Sequence, residues 1–149
     1  MGRIIFLAWV VVVGNFKMLL LGDMLARIQN GLRLRRHSVL VLRSRVCLEV
    51  LKILYADGFI NGYAVSEKNA NYLVVFLKYI DNQPIIRKFK LISTPSRHLF
   101  VSSKKVQKVL MKEGLYFLST NKYGIIPTTF FRDSSFQIAG GELLFQVIF

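Results

Sequence analysis

The chain has a single cysteine, Cys47, among 149 residues, so no intrachain disulfide and no cysteine-based zinc site can form. Histidine is nearly as scarce. His37 and His98 lie far apart and lack metal-ligand spacing. The eight acidic residues are scattered as Asp23, Glu49, Asp57, Glu67, Asp81, Glu113, Asp133 and Glu142, with no close pair. Without clustered carboxylates or a glycine loop that cradles phosphate, the chain does not read as an enzyme, and neither a cofactor nor a small-molecule substrate is expected. A membrane-length apolar run is also missing. Ile4 to Val13 is about half the roughly 20 residues a spanning helix needs. Extending it to Leu21 would place Asn15 and Lys17 in lipid. Arg3 gives this start the look of an export signal or short anchor, but no convincing small-residue cleavage site follows. A small basic membrane-associated protein is therefore the rival reading, and stable membrane insertion is not expected. Four consecutive valines, Val10 to Val13, favour a buried strand packed on protein.

Charge is what the chain has in excess. Lys and Arg total 21 against 8 Asp and Glu, a formal net charge of +13. Such an imbalance opposes compaction, and its usual counterpart is a polyanion, either nucleic acid or an anionic membrane face. Hydrophobic residues make up 53% of the chain, with 12 Phe, which is ample for a core and unlike a disordered polycation.

Local patterns predict an α+β fold with an apolar extension over 1–18, an α+β subdomain over 19–93 and a mainly β subdomain over 94–149. Asp23 to Gln29 reads as a helix stopped near Gly31, followed by a basic loop, Arg33 to His37, and a strand from Ser38 to Leu42. Ser44 should cap a helix to Ala56 whose buried face is Val46, Val50, Ile53 and Leu54, ended by a left-handed Gly58. Tyr72 to Tyr79 and Ile85 to Ile92 read as an antiparallel hairpin turning at Asp81-Asn82, with Ile85, Phe89 and Leu91 inward and Lys88 and Lys90 outward. Thr94-Pro95-Ser96 marks the boundary between the parts. Beyond it come a strand from Leu99 to Val101, a short helix through Lys112, a strand from Tyr116 to Ser119, a polar turn from Thr120 to Gly124 and a last strand from Leu143 to Phe149.

Five segments, in order, resemble the bacterial-type S-eight family of small-subunit ribosomal proteins. They are Asp23 to Asn30, Val46 to Ile60 with Asp57-Gly58-Phe59-Ile60, Ser93-Thr94-Pro95 through Arg97 to Val101, Leu118 to Ile125, and Gly140-Gly141-Glu142-Leu143-Leu144. The resemblance covers about residues 19 to 149. It implies a two-part α+β fold and a structural role in the small ribosomal subunit, with small-subunit rRNA and neighbouring ribosomal proteins as partners. Departures include Leu19-Leu20-Leu21 before the first helix, Phe100 in place of a common tyrosine, Asn121 in place of a serine, an extra Tyr123, and a long Ile126 to Ala139 connection. With the added terminus, these suggest an organellar ribosome, mitochondrial first and chloroplast second.

Irregular RNA is recognised with cations for phosphates, flat rings for exposed bases, and short polar groups for base edges and 2′-hydroxyls. Ser119, Thr120, Asn121 and Gly124 are expected to supply the short groups, with Gly124 free to take positive φ. Phe100 offers a stacking face or a core side chain. Lys88, Lys90, Arg97, Lys104 and Lys122 are phosphate candidates, and Ser93 and Pro95 belong to the loop before Phe100. Arg27, Asn30 and Arg33 could reach a second RNA segment. Glu142 is expected to orient a backbone amide or basic side chain, because a free carboxylate would repel phosphate.

Overall fold

A computed structural model describes residues 2–94, 96–102, 115–120, 124–128 and 140–149, with side chains from Lys17 onward. The first element is helix α1, Gly2–Arg33, where the valine run had suggested a strand. Once a helix is nucleated, each added residue gains a hydrogen bond, whereas β-branching costs only tenths of a kcal/mol. Met18, Leu21, Leu25, Ile28 and Leu32 are buried at helical spacing, so the stretch after the valines sets the period.

Gly31 does not stop α1 but lies in its last turn. A Cβ there would sit 2.3 Å from Val39 Cγ1, so glycine lets the next strand cross the helix closely. The helix ends two residues later, with Arg36 N–H donating to the Gly31 carbonyl at 2.9 Å and Arg35 N–H to Leu32 at 3.2 Å. Arg35 takes the left-handed conformation, φ 57°. Its guanidinium donates to the Asn82 carbonyl, and the Tyr79 hydroxyl donates to the Arg36 carbonyl at 2.6 Å.

Strand β1 (Ser38–Leu42) leads to α2 (Arg45–Ala56), whose N-cap Ser44 accepts from Cys47 N–H at 3.2 Å. The buried stripe of α2 is Cys47, Val50, Leu51 and Leu54. Val46 and Ile53, expected inside, are half-buried on its flanks. Gly58 has φ 80°, as its place after the helix requires. Strands β2 (Ile60–Val65) and β3 (Tyr72–Leu77) complete an antiparallel sheet in the order β1-β3-β2.

The expected hairpin between Tyr72–Tyr79 and Ile85–Ile92 is replaced by a smaller one. Only β4 (Tyr79–Ile80) and β5 (Gln83–Pro84) pair, around Asp81 (φ 52°) and Asn82 (φ 62°). Two successive left-handed residues make a tight turn whose twist suits a two-residue loop. Strand β6 (Lys88–Leu91) then departs to pair with the carboxyl-terminal strand, β10 (Gly140–Ile148). Phe89 is buried and Lys88 and Lys90 are exposed, as their alternation suggests, but Ile86 is buried while Leu91 is exposed. A side-chain period predicts which residues face inward; it does not name the partner strand.

The second sheet runs β6-β10-β8-β9, with β7 (Phe100–Ser102), β8 (Leu115–Thr120) and β9 (Gly124–Pro127), and β7 also pairs with β10. The short helix expected after Ser102 falls outside the described residues. Phe117 and Phe145 stack at 4.4 Å, and Phe89 meets Phe145 edge-on at 6.1 Å. These rings join residues of α1, α2 and the first sheet in one continuous core. Leu118, Leu143, Tyr116 and Ile126, on the other face, are buried too.

Two consequences can be measured. Ser44→Ala should lower the stability of the fold by about 1 kcal/mol, read as a urea midpoint shift with unchanged slope. Burial pushes the Cys47 thiol above its ordinary value of 9.0, although the Ser44 hydrogen bond opposes this. Because the folded chain holds the proton longer than the unfolded one, this contribution is intact below pH 9 and lost as pH rises through the folded pKa. Cys47→Ala should therefore show a shallower fall of stability between neutral pH and pH 10, by chemical denaturation, than the unsubstituted chain.

Candidate nucleic-acid interface

The register of β10 assembles the main group of candidates. Glu142 pairs with Phe100 on β7 and with Ser119 on β8, and Ser119 in turn pairs with Ile125 on β9. Directly paired residues present their side chains on one face. Phe100, Glu142 and Ser119 thus form a row at the end of the sheet, one step beyond the stacked Phe117 and Phe145. Phe100 is 70% exposed, which decides against core packing for this ring. An exposed ring on a strand offers a face on which a base can stack.

Glu142 meets His98, with Nδ1 and Oε1 2.5 Å apart and both side chains largely withdrawn from water. The His98 ring stacks beside Phe100 at 6.5 Å and 29°. Of the two partners expected for this carboxylate, a backbone amide or a basic side chain, the contact found is with the His98 ring. No local pattern pointed to it, because His98 and Glu142 are joined only by folding.

Ser93 departs from expectation. It is fully buried, its hydroxyl donating to the Leu143 carbonyl at 2.5 Å and accepting from Leu99 N–H at 3.1 Å. Its work is therefore structural: it ties the loop before Phe100 to β10 and has no face left for a ligand. Thr94 and Arg97 exchange two backbone hydrogen bonds, at 2.8 and 3.1 Å, closing a tight turn with Arg97 exposed. Pro95, within that turn, lies outside the described residues.

The turn after β8 is built in a similar way. Thr120 is 8% exposed and its hydroxyl donates to the Gly124 carbonyl at 2.9 Å, so this side chain closes the turn. Ser119 is half-buried, and Gly124 is exposed with φ 69°, the positive region that glycine leaves open. Asn121, Lys122 and Lys104 lie outside the described residues. A Cβ on Gly124 would stand 3.9 Å from Glu49 Oε2, so α2 reaches the turn with a carboxylate that sequence reasoning did not place there.

Gly140 and Gly141 make the row possible. A Cβ on Gly140 would meet the Val101 carbonyl oxygen at 2.5 Å, and one on Gly141 the Ser119 carbonyl oxygen at 2.6 Å. Both contacts are with backbone, which cannot swing aside. Glycine there lets β7 and β8 close on β10 from both sides.

The remaining candidates are elsewhere. Lys88 and Lys90 pair with Ile148 and Gln146, four to six residues along β10 and on the face opposite Phe117. At ~3.4 Å per residue this is about 14–20 Å from the Phe100 row. Arg27, Asn30 and Arg33 form an exposed stripe on α1. There Arg27 bridges Asp23 at 3.0 Å, and Arg33 donates to Asn30 at 3.4 Å. Among the described residues no cluster of His, Cys, Asp and Glu could hold a metal ion, and no helix is long and apolar enough to cross a membrane.

Residues 20–148 match the model of the family described as ribosomal protein S8. The chain is 37% identical over 132 residues to the small ribosomal subunit protein uS8m of Acanthamoeba castellanii, covering 87% of this chain and 99% of that protein. It is 37% identical over 130 residues to uS8 of Neorickettsia sennetsu, covering 86% and 96%. With uS8 of Sinorhizobium fredii it shares 38% over 129 residues, covering 85% and 95%.

The glycine requirement is open to direct test. Gly141→Ala should destabilise the fold by about 1–3 kcal/mol in denaturant titration. Gly22→Ala, whose Cβ would meet only Leu91 Cδ2 at 3.8 Å, should leave stability within about 0.5 kcal/mol or raise it.

Proposed function

Because the chain belongs to the ribosomal protein S8 family, we propose that it binds small-subunit rRNA through the Phe100–Glu142–Ser119 row and the turn to Gly124, supporting subunit assembly as a structural constituent and not as a catalyst. The observation that carries this reading is Phe100, 70% exposed on β7 and in one row with Ser119, with Glu142 between them. An unstacked base laid on that ring would bring its edge or ribose toward the short polar groups of the neighbouring turn. Arg97, together with Lys104 and Lys122, supplies cations for the adjoining phosphates, while Glu142 is held by His98. Lys88 and Lys90, on the opposite face, and Arg27, Asn30 and Arg33, on α1, contact other RNA segments. Neighbouring small-subunit proteins are the further partners.

The same reading places the protein in mitochondrial ribosomes. The Acanthamoeba castellanii uS8m relative supports this. A chloroplast ribosome is the alternative that fractionation would distinguish.

Nitrocellulose filter binding to a small-subunit rRNA fragment separates the contributions. Phe100→Ala should weaken binding by about 1–3 kcal/mol, with Phe100→Trp retaining it. Ser119→Ala combined with Asn121→Ala should weaken binding by about 1–3 kcal/mol with little change in salt dependence. Lys88→Ala should both weaken binding and reduce the slope of log K against log salt by about 0.7–0.9. Equal slopes for Lys88→Ala and the polar double variant would contradict this division of roles.

A further inference from the structure

The three-stranded sheet has two apolar faces. Val41, Leu73, Val75 and Leu77 are buried against the helices, as one face of such a sheet should be. An antiparallel sheet whose other face meets water normally alternates, with polar residues outward. Apart from Ser38 and Gly62, which flank Phe76, the outward residues are Leu40, Leu42, Tyr72, Val74, Phe76 and Ala64, brought side by side by the register of β1, β3 and β2. None is charged, and Leu40 is 50% exposed.

The edge of the same sheet is open. Strand β1 is outermost, and among the described residues no strand pairs with its far side. The His37 carbonyl accepts from Leu77 N–H at 3.0 Å, and Arg43 N–H donates to Asn71 at 2.8 Å. In an antiparallel ladder this assigns the odd-numbered residues to β3 and directs the N–H and C=O of Ser38, Leu40 and Leu42 outward. Arg27 Nη1 reaches the Leu40 carbonyl at 3.3 Å from the α1 side. A groove of about 590 Å³ follows this edge, lined by Arg27, Asn30, Leu34, Arg36, Leu40 and Val74.

We infer that this edge receives an extended segment of another protein, with apolar side chains at alternate positions and carboxylates between them. Added as a fourth strand, such a segment would take the outward hydrogen-bonding groups of β1. Its apolar side chains would continue the face of Leu40 and Val74. The intervening side chains would point toward α1 and the exposed Arg36 that follows it, which complements carboxylates, Arg27 being already bridged to Asp23. RNA fits less well, because a polyanion would match the guanidinium groups but leave Leu34, 61% exposed, and Leu40 without apolar contact. A second copy fits less well too, since chains of net charge +13 repel one another. The inference goes beyond the rRNA-binding reading and does not depend on it.

The test uses the full-length chain carrying p-benzoylphenylalanine in place of Leu40, assembled into small subunits and irradiated, with the cross-linked peptide sequenced. The expected product is a protein segment alternating apolar and acidic residues. A synthetic peptide of that segment should bind the free full-length chain. Leu40→Glu should weaken that binding at least tenfold, with binding of the rRNA fragment unchanged within twofold. Leu40→Thr, which keeps strand propensity but removes apolar surface, should show a smaller loss of peptide binding. Cross-linking to RNA, to lipid or to another copy of this chain would overturn the inference. So would no cross-link, or peptide binding indifferent to Leu40→Glu. Loss of rRNA binding with the protein cross-link retained would overturn only the functional reading.

Discussion

The structure depends on one strand. Residues 140–148 accept β6, β7 and β8 as partners, and the three contacts make different demands on the backbone. At the start of the strand, β7 and β8 come so close that only glycine fits at 140 and 141. In the middle, the register shifts between Leu143 and Phe145, and the Leu144 carbonyl accepts from the N–H groups of Ile92 and Ser93 at 3.0 and 3.1 Å. A bulge adds a residue to one strand and redirects its backbone groups. Here it serves the incoming chain, and Ser93 then fixes the loop that leads to Phe100. The exposed ring, the buried serine and the His98–Glu142 pair therefore all follow from the path of β10.

This explains why some features were legible in the residues and others were not. Ser44 and Gly58 bracket α2 as capping chemistry predicts, because a cap is satisfied within a few residues of itself. Asp81-Asn82 is a turn for a similarly local reason. The hairpin between Tyr72–Tyr79 and Ile85–Ile92 failed because both strands satisfy the same alternation whichever neighbour they choose. Strand β6 found the continuous apolar surface of Phe145 and Val147 instead. At the amino terminus, the valines carried a local preference for strand that the long helical period after them outweighed.

The candidate site divides along the same line. That Gly124 is free to take positive φ could be read from its turn, and that Glu142 holds a backbone amide or a basic side chain from its surroundings, since a free carboxylate is out of place among phosphates. That Ser93 would be buried, that His98 would be the base and that Glu49 would approach from α2 all depend on contacts across long stretches of chain. Among the described residues, the candidate cations are dispersed over β6 (Lys88 and Lys90), the turn at Arg97 and α1 (Arg27 and Arg33). A surface of this kind suits a folded RNA that wraps the protein better than a single groove.

Amide hydrogen exchange of the full-length chain, with and without the small-subunit rRNA fragment, tests the central claim most directly. Slowed exchange that is strongest at Arg97–Ser102 and Ser119–Gly124, with the β1–β3 ladder unchanged, is the predicted result. Unchanged exchange around Phe100 and Ser119 at saturating RNA, or protection only along α1, would contradict it.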